Sequence, residues 1–215
     1  MKIYDVSMII SKEMQVYKNL EEKKPLLEVV SDFSNGSSHE TQITMNLHTG
    51  THMDFPLHML EDGLSSDSLD LSKLIRSVKI FDLSHVQNSI KTEDLLGLDI
   101  KADDFILFKT RNSEEEVFNH KFIFVSEQAS IYLSNLNICG IGVDGLGIER
   151  DQIGHPTHKN LMNKEIIIIE GLRLKNVKQG RYFMYALPIK IKNVDALPLS
   201  IILIEEPYDY QTSNA

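Results

Sequence analysis

The sequence predicts a mixed α/β fold around a largely buried sheet, and three observations predict it. Candidate strands and helices alternate along the 215 residues with short loops between them. The run Ile166–Ile169 is four consecutive isoleucines, which suits a strand covered on both faces. Hydrophobic residues make up 42% and charged residues 25% of the chain, a balance that excludes bulk disorder, collagen and coiled coil. Linker-like and repeated segments are lacking, so residues 1–215 read as a single domain.

In chain order, Lys2–Ser7 alternates and reads as a first strand; it lacks the long apolar core and small-residue cleavage site of a signal peptide. Gly36 with Ser37 and Ser38 marks a loop before a strand at Thr41–Leu47. A helix is expected at Ser66–Ile75, a strand at Val78–Leu83, a short helix at Thr92–Leu96 and a strand at Phe105–Thr110. Asn112 and Ser113 mark a loop. Ser126 can cap a helix reaching Asn135, and Glu127 favours that helix's positive end. A strand at Ile138–Val143 follows, then a short helix starting near Thr157 or His158, just after Pro156. Ile166–Ile169, Tyr182–Pro188 and Leu199–Ile204 supply the last strands.

Composition excludes several function classes. Lys plus Arg is 22 against 31 Asp plus Glu, a net charge of −9, and no basic patch relieves it, so nucleic acid is not an expected partner. No stretch approaches the roughly 18 apolar residues of a membrane span, and cytoplasmic residence is expected. The single cysteine, Cys139, excludes an internal disulfide and reads as strand packing rather than a nucleophile. Gly140-Ile-Gly142-Val-Asp-Gly145 matches a dinucleotide-binding pattern, but loop-like sequence follows where a helix would have to open, and the reading is rejected. His39, His85 and His120 have no partner pattern.

The informative stretch is residues 41–59. Its odd positions are mostly apolar (Ile43, Met45, Leu47, Met53, Phe55, Leu57, Met59), while the even positions carry His48, His52, Asp54 and His58. Period two marks a half-buried extended segment. Three imidazoles and a carboxylate on one parity are ligands for a divalent metal. On a straight strand His48 and Asp54 would stand about 20 Å apart, too far to share one ion. On a helix Asp54 would point roughly opposite to His52. The chain must therefore bend: Gly50 permits an unusual backbone, Pro56 stops regular pairing, and Thr49 and Thr51 disfavour helix between them. A second cluster, His155-Pro156-Thr157-His158, precedes Glu170 at the tip of the isoleucine run, where a carboxylate must be paired, hydrogen-bonded or metal-bound unless the strand simply exits into solvent.

His48-Thr-Gly-Thr-His52-Met-Asp54-Phe-Pro56-Leu-His58 resembles the signature His-x-Gly-Thr-His-x-Asp-x-Pro-x-His of the metal-dependent cyclase-like hydrolases, which include bacterial kynurenine formamidase and isatin hydrolase, and matches it at every specified position. His158 and Glu170, twelve residues apart, resemble the family's second motif, and Ile3–Ser7 and Ile141–Asp144 extend the similarity over most of the chain. The resemblance implies a swivelling β/β/α fold, a mixed sheet curling toward a barrel with flanking helices, in homodimers or homotetramers. It implies that His48, His52 and Asp54 ligate a first metal, that Asp54 bridges to a second held by His158 and Glu170, and that His58 is the catalytic histidine. The family's proline- and glycine-bearing stretch that walls the substrate pocket is replaced here by Met14-Gln-Val-Tyr17-Lys-Asn, which keeps one aromatic, Tyr17, as a substrate contact.

The expected function is metal-dependent hydrolysis of the C–N bond of a small-molecule amide, arylformamidase-like, as with N-formylkynurenine. The alternatives are a hydrolase or cyclase acting on another cyclic amide, lactone or polyketide-like substrate, and a non-catalytic metal- or ligand-binding protein. Histidine with carboxylate suits zinc, manganese or iron; Zn²⁺, as one or two ions, is the first expectation and Mn²⁺ the second. His155 stays open as a group that orients His158, and Asp144 reads as a structural turn.

Overall fold

The structure, a computed structural model, describes residues 2–205. Its strands are β1 (Ile3–Asp5), β2 (Leu26–Ser31), β3 (Glu40–Thr44), β4 (His52–Asp54), β5 (Ile75–Asp82), β6 (Ser89–Ile90), β7 (Phe105–Lys109), β8 (Phe124–Val125), β9 (Gly140–Val143), β10 (Ile167–Glu170), β11 (Gly180–Pro188) and β12 (Ala196–Glu205). The α-helices are α1 (Thr92–Leu95), α2 (Glu127–Asn135) and α3 (Pro156–Met162).

The main sheet runs β12–β11–β5–β7–β9–β10–β4 and closes back on β12, while β1 continues the edge that β4 begins. The steps from β5 through β7 and β9 to β10 are parallel and the others antiparallel, so the expected mixed sheet curling to a barrel is what forms. Strand alternation splits the core in two. Phe105, Leu107, Ile169, Met184, Leu197 and Ile201 fill the ring, whereas Ile106, Phe108, Ile141 and Ile168 meet Ala129 and Leu133 of α2 and Leu161 of α3 outside it. The isoleucine run is thus buried on both sides, as its composition predicts.

Crowding inside the ring explains the glycine pattern in β9. Gly140 pairs with Phe105 and Gly142 with Leu107. A Cβ at Gly140 would lie 2.2 Å from the Phe105 ring, and one at Gly142 would lie 2.5 Å from Leu107 Cδ2. The Gly-x-Gly spacing is therefore room for inward neighbours, and no helix opens directly behind β9.

Three local expectations are corrected. Ser66–Ile75 is not one helix but two 3₁₀ turns, Ser66–Ser68 and Leu71–Leu74, because Asp70 accepts a hydrogen bond from Ser72 N at 2.9 Å and restarts the chain there. The strand at Thr41–Leu47 is Glu40–Thr44, exposed along its length, since it pairs only with β2 in a separate hairpin. Burial by parity therefore fails there, with Ile43 at 48% exposure, and holds only past the bend. The strand β2 carries no alternating signal that sets it apart. The other expected elements form within a few residues of their bounds, and Ser126 Oγ caps α2 by accepting from Ala129 N at 3.2 Å.

Candidate metal centre

The bend in residues 46–58 is built from local hydrogen bonds. Asn46 Oδ1 accepts from His48 N at 2.9 Å, and Asn46 O accepts from Thr49 N at 3.0 Å, turning the chain out of the hairpin. Gly50 then takes φ +79°, a left-handed conformation of the unusual kind expected to be open to it. Thr49 Oγ1 donates to Lys23 O at 2.9 Å and Thr51 Oγ1 to Gly171 O at 2.7 Å, pinning the turn on both sides. Beyond the turn His52 and Asp54 lie on β4, both buried, and Pro56 opens a 3₁₀ turn that ends at His58.

Two other segments bring in the second cluster. Across the β4–β10 ladder Glu170 is the partner of His52. His158 lies on the first turns of α3, whose start is fixed by Glu149 Oε2 accepting from Thr157 N at 2.9 Å.

The side chains converge. Asp54 Oδ1 is 2.9 Å from His48 Nδ1 and 3.3 Å from His52 Nε2, while Asp54 Oδ2 is 3.6 Å from His158 Nε2. Glu170 lies 3.5 Å from His52 Nε2 and 3.4 Å from His158 Nε2, and its Oε1 accepts from Ile148 N at 2.6 Å. Glu170 is 4% exposed, so its strand does not simply exit into solvent. The rings of His48 and His58 lie 4.0 Å apart at their centroids.

Each of three imidazoles turns one nitrogen inward and has an oxygen beside the other. His48 Nε2 is hydrogen-bonded to Asp195 Oδ2 at 2.9 Å and His52 Nδ1 to Gly50 O at 2.9 Å, whereas His158 Nδ1 stands 2.9 Å from Glu149 Oε1 as an ion pair without hydrogen-bond alignment. The first two are held as metal-binding histidines are, with the outer N–H fixed so that the inner nitrogen offers its lone pair. Asp54 supplies a second indication. Both of its oxygens, and His52 Nε2, are buried without a hydrogen bond, which is costly unless a cation takes their lone pairs. The ligand atoms of His52, Asp54 and Glu170, and separately those of His48, Asp54 and His58, lie within 4.8 Å of one another. Asp54 belongs to both sets, and their nitrogen and oxygen donors suit a divalent cation.

Charge follows geometry. Burial opposes a charge on Asp54, but His158, His48 and His52 hold its carboxyl well below the usual range. Burial likewise opposes a charge on His52, yet Asp54 and Glu170 push its pKa up to about 10. His48 and His158 are raised in the same way, the first mainly by Asp54 and the second by Asp54 and Glu149. His58 differs: burial pushes its pKa down, leaving it neutral and able to take a proton.

A cavity of about 340 Å³ opens on the cluster, lined among others by Tyr17, His58, Leu146, His158 and Asp195. Tyr17 is one wall, its ring packed edge-on against Phe118 and Phe122. The structure therefore brings His48, His52, Asp54, His58, His158, Glu170 and Tyr17 to one place. His155 also joins, its Nδ1 2.6 Å from the Glu149 oxygen that His158 meets. Asp144 does not. Buried at 2% exposure, it accepts from Thr110 N and Oγ1, Ser113 N and Oγ, and Asn112 Nδ2, and ties down the turn after β7.

Sequence reasoning missed Glu149 and Asp195. Glu149 follows the small and apolar stretch Gly145–Ile148, but Arg150 and Asp151 come directly after it, so it reads as part of an ordinary charged loop. Asp195, 147 positions from His48, has no spacing signal.

The Cyclase family model matches residues 4–150. Kynurenine formamidase of Salinibacter ruber is 27% identical over 210 residues, covering 96% of this chain and 99% of that protein. Kynurenine formamidase of Erythrobacter litoralis is 32% identical over 168 residues, covering 77% of each. A solved structure described as a potential metal-dependent hydrolase with cyclase activity is 48% identical, superposes with a TM-score of 0.90, and covers 96% of this chain and 99% of its own.

Proposed function

The chain belongs to the Cyclase family, and from that premise we propose that it hydrolyses the C–N bond of a small amide, a formamide on an aromatic amine first among them. The carrying observation is Asp54, a buried carboxylate with both oxygens free of hydrogen bonds, ringed by three imidazoles, of which His48 and His158 line a cavity that also holds a neutral His58.

His48, His52 and Asp54 would hold one divalent cation, zinc first and manganese second, and Asp54 with His158 and Glu170 a further one. Such a cation supplies an acidified water and Lewis acidity toward a carbonyl oxygen. His58 handles the protons: its imidazole accepts one at a ring nitrogen as the carbonyl carbon is attacked and delivers it to the departing nitrogen. Tyr17, backed by Phe118 and Phe122, offers an aromatic wall against which a flat substituent can lie. The cavity suits a small molecule. Assembly into a homodimer or homotetramer is supported by the exposed apolar residues of the β2–β3 hairpin, Leu26, Val29, Val30, Phe33 and Ile43.

A second reading, opening of a cyclic amide or lactone, is favoured by the cyclase activity named for the 48%-identical structure. One experiment separates the two: metal-loaded protein is offered N-formyl arylamines, isatin-like lactams and lactones. Turnover of the formamides alone upholds the first reading, turnover of the rings alone the second, and no turnover of any defeats both.

A further inference from the structure

Asp195 is locked in place by the main chain around it. Its carbonyl accepts from Phe55 N at 2.9 Å, and the residues after it enter β12 opposite β4, Ala196 facing Asp54 and Pro198 facing His52. That register puts its side chain over the outer edge of the histidine cluster. A single oxygen, Oδ2, lies 2.9 Å from His48 Nε2 and 3.5 Å from His58 Nδ1. The two rings it reaches are stacked, with centroids 4.0 Å apart and planes 36° from parallel. Among the described residues one other carboxylate oxygen, Glu149 Oε1, also meets two rings, but those rings stand 6.3 Å apart at 75° and do not stack. Gly50 O serves His52 alone, and Glu149 meets His155 and His158, of which the first is an exposed ring at the helix start.

We propose that Asp195 is a positioning residue: its Oδ2 holds the outer edges of His48 and His58 together, leaving His48 Nδ1 for the cation and fixing the His58 ring toward the cavity. The inference rests on the metal-dependent hydrolase reading, and it adds a residue that neither signature motif contains. Without Asp195, His48 can rotate or exchange which nitrogen carries its proton, and His58 loses one fixed edge. Both metal binding and turnover should then suffer, while substrate binding, which depends on the rest of the cavity wall, should not.

The test compares wild type, Asp195→Ala and Asp195→Asn. Zinc and manganese affinities are measured by competition with a chromogenic chelator, a readout independent of turnover; kcat and KM are measured on whichever amide the wild type hydrolyses. Asp195→Ala should weaken cation binding by about 10- to 100-fold, the usual cost of losing such a partner. It should lower kcat with KM changed by less than about threefold. Asp195→Asn keeps an oxygen that accepts from His48 Nε2–H and should recover most of the affinity. If the alanine variant does not fold, Asp195→Ser, whose hydroxyl is too short to reach the rings, carries the same expectation. Wild-type affinity in the alanine or serine variant, or an asparagine variant as weak as alanine, would overturn the proposal. A wild type that binds cations yet hydrolyses no amide would sink the hydrolase reading, and the affinity series would still decide the role of Asp195.

Discussion

Glu170 stands opposite His52 in the β4–β10 ladder, and their side chains meet with Oε2 3.5 Å from Nε2. Directly paired residues of an antiparallel ladder share a face, so this register decides that the carboxylate at the tip of β10 enters the same pocket as the β4 imidazole. A slip of one residue would turn Glu170 to the opposite face, toward the packed helices, and break the cluster.

Removing His52 should therefore differ from removing His58. His52→Ala takes away a buried imidazole and leaves Asp54 and Glu170 uncompensated, so cation content by elemental analysis should fall well below wild type, together with the melting temperature. His58→Ala should retain its cation while kcat drops by about 10²- to 10⁴-fold. His58 lies close enough to His48 and Asp54 to share a cation with them, so loss of metal in His58→Ala would reassign it from proton carrier to ligand.

Cation binding should release protons. Burial disfavours a charged His52, but Asp54 and Glu170 raise its pKa to about 10 in the metal-free protein, so a cation must displace a proton there at neutral pH. Apparent affinity should climb with pH, by about tenfold per unit for each proton displaced, and calorimetry in buffers of different ionisation enthalpy should detect the release. A flat affinity across neutral pH would refute this.

The same shifts give the metal-free protein a stability window. The raised pKa of His52 contributes stability below its ordinary value of 6.5, and this is lost as pH rises through about 10. Burial and the Asp54 charge work to raise Glu170, but His158 and His52 bring it down to about 2 from 4.5; its contribution is present above 4.5 and lost as pH falls through about 2. Melting temperatures of the metal-free form should peak between those ordinary values and decline on both sides, and a monotonic profile would contradict the assignment.

Asp144 and Gly140 are predicted to matter for stability alone. Asp144→Ala strands the amides of Thr110 and Ser113 in a buried turn, and should cost about 3 kcal/mol or more in denaturant titrations while cation content stays at the wild-type level. Metal loss in a folded Asp144→Ala would show that the carboxylate serves the centre.

Gly140→Ala drives a methyl group into the Phe105 ring, which is 1% exposed and has nowhere to go. A destabilisation of about 1–3 kcal/mol is expected from such overpacking. A neutral result in the same titration would show that the ring interior can relax.

The contiguous run His48 to His58 was legible because its chemistry is local: ligand types, their parity, and a glycine where the chain must bend. The pairing of that run with His158 and Glu170 was legible only through resemblance to a family pattern. The hairpin was misjudged because alternation reports a face that could be buried, and whether anything covers it is a tertiary matter; Ile43 alternates correctly and remains exposed.

By itself the sequence determined the mixed α/β class, the strand buried on both sides, the bend at Gly50 and the grouping of His48, His52 and Asp54, since each follows from residues within a few positions of one another. Only the tertiary structure decided which nitrogen His48 turns inward, because its outer acceptor Asp195 arrives from a distant segment through ladder register. The reason is physical: torsions and periodicity act along the chain, whereas a hydrogen bond across 147 positions exists only once the sheet has closed.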